Sequence, residues 1–201
     1  MSYLHNKAFA HCCTTVPPII GGMIIKSVCL FCGSREGNNP AHAALADAFG
    51  ALLARRSITL VYGGGGIGLM GRAARAAMAA GGRTVGIIPD FLGTAEIAQT
   101  GLTELQVVPN LHTRKMLMHD RADAIVALPG SIGTLDELFE AITWKELGLH
   151  SKPIWLVGPP GYWTPFMALL RHLDREGFAP ADLFDLVEEL PDLYALAARL
   201  I

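Results

Sequence analysis

Three times along the 201-residue chain a short apolar run ends on a glycine turn, and the turn opens into a stretch with helical apolar spacing. The runs are residues 23–31 ahead of Cys32-Gly33-Ser34, residues 58–62 (ITLVY) ahead of four consecutive glycines at 63–66, and residues 124–128 (AIVAL) ahead of PGSIGT at 129–134. Short apolar runs bounded by turn formers read as buried strands, and apolar recurrence every three to four residues reads as helix. Such units in series bury their apolar faces together as a parallel sheet, because each helix returns the chain to the same sheet edge. The pattern predicts α/β architecture: a doubly wound parallel sheet with helices on both faces, in a single domain.

The rest of the chain extends the alternation. Strands are expected at 84–89, 105–108 and 153–157, and helices at 41–56, 69–80, 111–121, 135–147 and 163–176, with one or two closing helices in 182–201. Residues 90–103 read as a long loop with at most a turn of helix. A chain of 201 residues suffices for one well-packed domain and is short for two. Residues 1–22 carry histidines, cysteines and a Pro-Pro, but neither a basic start nor an unbroken apolar core, so they are expected to form a disordered leader before a domain over 23–201.

Composition excludes several classes of function. A net charge of −2 with scattered Lys and Arg gives no footprint for polymeric nucleic acid. The absence of an apolar run of about 18 residues or more argues against a membrane span. Cys12, Cys13, Cys29 and Cys32 do not form a disulfide framework, and Cys29-x-x-Cys32 has no second pair to complete a zinc site, so a reducing cytoplasm is the expected location. None of the seven histidines sits at ligand spacing from an acid or cysteine on one element, so no metal is expected. With 51% hydrophobic and only 17% charged residues, some apolar surface is expected in a subunit interface, and the chain reads as a homodimer.

In a doubly wound sheet, ligands bind beyond the carboxyl ends of the strands, where strand order reverses. All three glycine turns follow strand ends and should converge there. The most informative is PGSIGTLDE at 129–137, where Gly130 and Gly133 widen the accessible backbone angles and a helix start presents unpaired N–H groups and a positive dipole end. A phosphate fits such a place. The same residues also fit a capping box, Thr134-x-x-Glu137, in which both side chains would serve backbone donors only. Gly66, Gly68 and Gly71 satisfy GxGxxG with Asp90 after the next strand, as a dinucleotide site requires, but the motif follows the second strand and Pro89 breaks the third ahead of Asp90. Arg114 and Lys115 are adjacent on a helix and point about 100° apart, so they cannot both face one ligand squarely, and a surface Arg-Lys pair is by itself an ordinary solvated face.

The Arg114-Lys115 pair followed by PGSIGTLDE resembles the LONELY GUY (LOG) family of cytokinin-activating phosphoribohydrolases, formerly labelled lysine decarboxylases, whose signature joins an RK dipeptide to PGGxGTxxE. Ser131 stands where that family has its second glycine. The resemblance spans residues 27–176, includes the YGGGxxGLMG element, and implies a Rossmann-like fold. It also implies hydrolysis of the N-glycosidic bond of nucleoside 5′-monophosphates, cytokinin ribosides and AMP included, with no cofactor. Carried over to this chain, the resemblance makes Arg114 and Glu137 catalytic. Substrate contacts would come from Ser34, Gly64, Gly65, Glu96, Lys115, Gly130, Ser131, Ile132, Gly133, Thr134, Leu135, Asp136 and Thr143. His112 belongs to the same element and reads as structural. The older decarboxylase label would need pyridoxal phosphate on a Schiff-base lysine, for which Lys115 is the one candidate. Two other classes stay open: a binding module related to the molybdenum-cofactor carriers, and an NAD(P)-dependent oxidoreductase.

Overall fold

In chain order the elements of the computed structural model are β1 (Ser27–Phe31), α1 (Pro40–Arg55), β2 (Thr59–Tyr62), α2 (Gly68–Ala79), β3 (Thr84–Pro89), β4 (Glu104–Val108), α3 (Leu111–Asp120), β5 (Ala124–Ala127), α4 (Ile132–Glu146), β6 (Ile154–Val157), α5 (Thr164–Arg175), α6 (Leu183–Leu186), β7 (Glu188–Leu190) and α7 (Leu193–Arg199). The structure describes residues 24–92 and 98–200; the expected leader and Glu96 lie outside them. All seven strands pair in parallel, in the order β4-β3-β2-β1-β5-β6-β7. The doubly wound, Rossmann-like sheet is thus confirmed, and its order reverses between β1 and β5.

The period-2 pattern of the strands divides the core into two layers. Along β1, Val28 and Leu30 face a cluster with Phe49, Leu53, Tyr62, Leu69 and Leu196, whereas Cys29 and Phe31 face a second cluster with Met118, Ile125, Leu138, Trp163 and Phe166. Helices α1, α2 and α7 cover the first face, and α3, α4, α5 and α6 the second. Burying each of the larger apolar side chains contributes roughly 1.5–3 kcal/mol. Cys32 falls in the first layer and Cys29 in the second, so the C-x-x-C spacing sets the two thiols on opposite faces of the sheet. Both are free and buried, and burial pushes both thiols up, away from the reactive thiolate.

Local chemistry fixes the ends of the elements. Asn39 and Asn110 cap α1 and α3, accepting from the N–H groups of Ala41 (3.0 Å) and Thr113 (2.9 Å), and Pro40 occupies the first turn of α1. At the base of the sheet the Asp123 carboxylate accepts from the N–H groups of Lys26 and Ser27 and from the Ser27 hydroxyl at 2.8–2.9 Å, pinning the start of β1 to the start of β5. At the opposite ends of the same two strands, Leu128 N–H donates to the Phe31 carbonyl (2.9 Å) and Gly33 N–H donates to the Pro129 carbonyl (3.0 Å). The pairing therefore runs unbroken into the two turns of the switch point.

Residues 90–92 form a 3-10 turn, the turn of helix expected in the loop after β3. Two other segments differ from the sequence expectation. Helix α4 begins at Ile132, three residues earlier than expected, with Gly133 and Thr134 inside its first turn. The closing segment, expected as helices alone, contains the strand β7 between α6 and α7. Only Leu190 of that strand is buried; Glu188 accepts from Trp155 Nε1 (3.1 Å) and pairs with Arg199.

Candidate active site

The turns after β1 and β5 and the first turn of α2 close around an open cleft of about 410 Å³. It is lined by Cys32, Gly33, Ser34, Met70, Arg114, Ser131, Gly133, Thr134 and Glu137. Gly33 is the knot of this arrangement, since its carbonyl also accepts from Leu69 N–H (3.0 Å) and so ties α2 to the β1 and β5 turns.

The start of α4 shows how the glycine turn enters the helix. Ser131 is the N-cap, extended at φ −112° and ψ −156°, and its side chain makes no capping hydrogen bond. Thr134 is then the third helical residue and Glu137 the sixth, a full turn too deep to reach back to the cap. The capping-box alternative is overturned: a box joins the cap to the third residue, and those are Ser131 and Thr134. The first-turn N–H groups of Ile132, Gly133 and Thr134 have no partner within the helix, and the positive end of a 15-residue helix points at the cleft. Thr134 is buried against Gly130, where a Cβ would overlap its hydroxyl.

Arg114 reaches the cleft from α3. It is 8% exposed, and its Nη2 donates to the Gly63 carbonyl at 3.1 Å, while Nε is buried without a protein partner. Gly63, the first glycine of the run after β2, must lack a side chain, because a Cβ there would overlap the guanidinium. Glu137, half-buried one turn into α4, lines the same cleft. Burial pushes its carboxyl up to about 7, with Asp136 and Glu140 adding to the rise and Arg114 and Lys115 opposing it. A buried carboxyl that titrates near neutrality, beside a buried guanidinium and a helix N-terminus, can exchange a proton with a bound molecule or stabilise positive charge developing on it.

Of the residues anticipated from sequence, Ser34, Arg114, Ser131, Gly133, Thr134 and Glu137 meet in this cleft. Lys115 does not. It turns to α4, pairing with Asp136 and Glu140 at 3.1 Å each, and lines a second, shallow pocket with Phe31, His119, Glu137, Glu140, Ala141 and Trp144. The two adjacent cations thus part company, as their 100° separation requires. Asp136 is exposed as Lys115's partner, Leu135 packs against the second core layer, and Ile132 (81%) and Thr143 are exposed. Gly64 and Gly65 bind the chain that follows the 3-10 turn: the Gly64 carbonyl accepts from Gln99 N–H (3.0 Å), and Gly65 bridges Ala98. The polar groups of Gly130 are engaged by Tyr162, a residue that the sequence reading missed. Its signal was position alone: it lies in the loop after β6, on the sheet edge that carries the glycine turns. Asp90, the acid expected of a dinucleotide site, is exposed and accepts from the next residue, Phe91 N–H (2.7 Å).

Fold and site together define an α/β domain in which a helix N-terminus, a buried arginine and a half-buried glutamate meet at the switch point of a doubly wound sheet. A family model described as "possible lysine decarboxylase" matches residues 70–200. The chain is 46% identical over 154 residues to a cytokinin riboside 5′-monophosphate phosphoribohydrolase of Rhodococcoides fascians, covering 76% of this chain and 78% of that one. It is 38% identical over 175 residues to a protein of the same name from Arabidopsis thaliana, covering 87% and 82%. The chain belongs to this family, the LOG family. Among solved structures, a molybdenum cofactor binding protein of Rippkaea orientalis superimposes with a TM-score of 0.65 at 19% identity, over 88% of this chain and 96% of that one. The molybdenum cofactor carrier protein of Chlamydomonas reinhardtii gives 0.63 at 21%, over 86% and 93%. At these identities the likeness is one of fold.

Among the described residues no group of three or more His, Cys, Asp or Glu side chains could hold a metal, and no helix is long and apolar enough to cross a membrane.

Proposed function

We propose that this chain is a phosphoribohydrolase that cleaves the N-glycosidic bond of nucleoside 5′-monophosphates, cytokinin ribosides and AMP among them, to free base and ribose 5-phosphate. The observation that carries this is the convergence of Glu137, Arg114 and the α4 N-terminus on one cleft, in a chain whose relatives bear the name of that reaction.

The 5′-phosphate sits at the first turn of α4, held by backbone N–H groups and the helix dipole, and this anchors the ribose over Glu137. As the bond from C1′ to the base nitrogen breaks, its electron pair leaves with the base and positive charge grows on the ribose. The ionised Glu137 carboxylate stabilises that charge and takes a proton from the water whose oxygen bonds to C1′. The Arg114 guanidinium stabilises the electron-rich departing base, which ends protonated as the water's proton passes on to it and Glu137 returns to its ionised form. The chemistry requires no cofactor. Incubation with AMP and with isopentenyladenosine monophosphate, followed by chromatography for adenine or isopentenyladenine, tests it directly; an intact nucleotide after prolonged incubation refutes it. A dinucleotide oxidoreductase would instead change nicotinamide absorbance, and a carrier would bind without releasing base.

The working form is a homodimer. Strand β4 carries Leu105 and Val107 outward, 41% and 61% exposed, and the neighbouring α3 adds Leu111 and Met116 at 45% and 49%, apolar surface of the kind that a second copy covers. Light scattering at micromolar concentration is expected to give twice the chain mass, and a monomer refutes it. The free thiols Cys29 and Cys32 suit the reducing cytoplasm, in which we place the protein.

A further inference from the structure

We propose that Tyr162 is a positioning residue for the anion-binding turn: its hydroxyl closes both backbone groups of Gly130 and thereby sets the start of α4 toward the cleft. The inference rests on the nucleotide reading of that cleft and adds to it a residue from a different part of the chain.

A phenol hydroxyl donates and accepts at once, and here it does both toward a single residue. Tyr162 Oη accepts from Gly130 N–H at 2.9 Å and donates to the Gly130 carbonyl at 2.8 Å. Two consequences follow for the site. Gly130 N–H is committed to Tyr162, so the donors left for an anion are those of the first turn of α4. The Gly130 backbone is also fixed from outside the turn, and its orientation leads into the extended Ser131 from which the helix starts at Ile132. Gly130 is the residue most in need of such a clamp. It has no side chain of its own, and Thr134 packs so closely over it that a Cβ would not fit.

The clamp is itself held by parts of the fold remote from the cleft chemistry. The Tyr162 ring meets Trp163 edge to face at 5.1 Å, and Trp163 is 3% exposed within the second core layer. It also meets His42 of α1, edge to face, at 5.4 Å. Removal of the hydroxyl alone therefore leaves the ring anchored and the core packed, while both polar groups of Gly130 lose their partner. Glu137 and Arg114 stand on the second turn of α4 and on α3, and among the described residues neither is hydrogen-bonded to Tyr162. Loss of the hydroxyl is accordingly expected in phosphate binding rather than in the chemical step.

The test is Tyr162→Phe in the full chain, with steady-state kinetics on AMP, calorimetric titration of AMP and thermal melting. The expected result is a folded protein whose KM and Kd for AMP rise about tenfold, the scale of one lost buried hydrogen-bonding arrangement, while kcat stays within about threefold. A KM and Kd within about twofold of wild type overturn the inference, as does a loss of melting temperature with kcat falling as much as KM rises, which marks a merely structural residue. A wild-type chain that neither binds nor cleaves a nucleoside monophosphate removes the nucleotide reading itself, and the anion role of Tyr162 with it. Wild-type binding matched by the variant removes the Tyr162 inference alone.

Discussion

Replacing Glu137 by Gln should make the protein more stable at alkaline pH while disabling it. Burial raises the Glu137 carboxyl from 4.5 to about 7 in the folded protein, against the opposing pull of Arg114 and Lys115. In the unfolded chain the same carboxyl ionises at its ordinary value. Between those two pH values the folded state therefore holds the extra proton, and stability falls as pH rises. The gap between 4.5 and about 7 corresponds, at about 1.4 kcal/mol for each tenfold step, to about 3 kcal/mol of lost stability once the pH is well above 7. Glutamine keeps the shape and carries no charge at any pH. Glu137→Gln is expected to be about 2–3 kcal/mol more stable than wild type at pH 8.5 and within about 1 kcal/mol of it at pH 5. Urea unfolding followed by tryptophan fluorescence at the two pH values measures this, with base release from AMP assayed in parallel. Turnover should fall by about 10² or more, since the proposed reaction uses that charge to stabilise the ribose and to accept the water's proton. A variant destabilised equally at both pH values would show that the carboxylate serves the fold, and one with near-normal turnover would remove it from catalysis.

For the wild type, kcat/KM for AMP is expected to rise through pH 7 as Glu137 ionises, and Arg114→Ala, which removes the charge that most opposes the rise, should shift that limb to higher pH as turnover drops by about 10². Gly63→Ala places a Cβ on the guanidinium; it should cost about 1–3 kcal/mol in urea unfolding and mimic the Arg114 loss in activity. Ser131→Gly should change stability by only a few tenths of a kcal/mol, because Ser131 has an ordinary extended backbone and caps nothing. It should raise KM for a monophosphate severalfold by removing a hydroxyl from the cleft, with little effect on the matching nucleoside, and an unchanged KM would show that the hydroxyl is idle. His119 is held neutral by burial, with Lys152 and His150 adding to the effect, and titrates at about 4 rather than 6.5. Its contribution is complete above pH 6.5 and is lost as pH falls toward 4, so Glu137→Gln, freed of the opposing trend, should gain stability steadily as pH rises from about 4 to 6.5, and adding His119→Gln should flatten that rise.

The architecture was legible because it rests on local signals that repeat. Runs such as ITLVY and AIVAL are buried on both faces of the sheet, and an apolar run ending on glycine before a helical stretch leaves the chain little choice but a parallel crossover. The site's location followed from the same pattern, since the turns after β1 and β5 must meet at the switch point. The parting of Arg114 and Lys115 also followed from helix geometry.

What the sequence could not show depends on contacts between distant parts of the chain. The segment IGT at the head of α4 reads equally as the end of a turn or the start of a helix, and what fixes Gly130 ahead of it is Tyr162, 32 residues further along. The acid-rich Glu188–Leu190 becomes a strand because β6 offers it a free edge, which no local propensity encodes. Glu137 looks in sequence like half of a capping box. Only packing, by removing water from around its carboxyl and setting Arg114 across the cleft, turns an ordinary glutamate into one that titrates near neutrality. The sequence determined that the glycine turns and a helix start would meet at this sheet edge; the tertiary structure decided which donors face the cleft and which acid stands beside it, because desolvation and hydrogen-bond partners are properties of the folded neighbourhood.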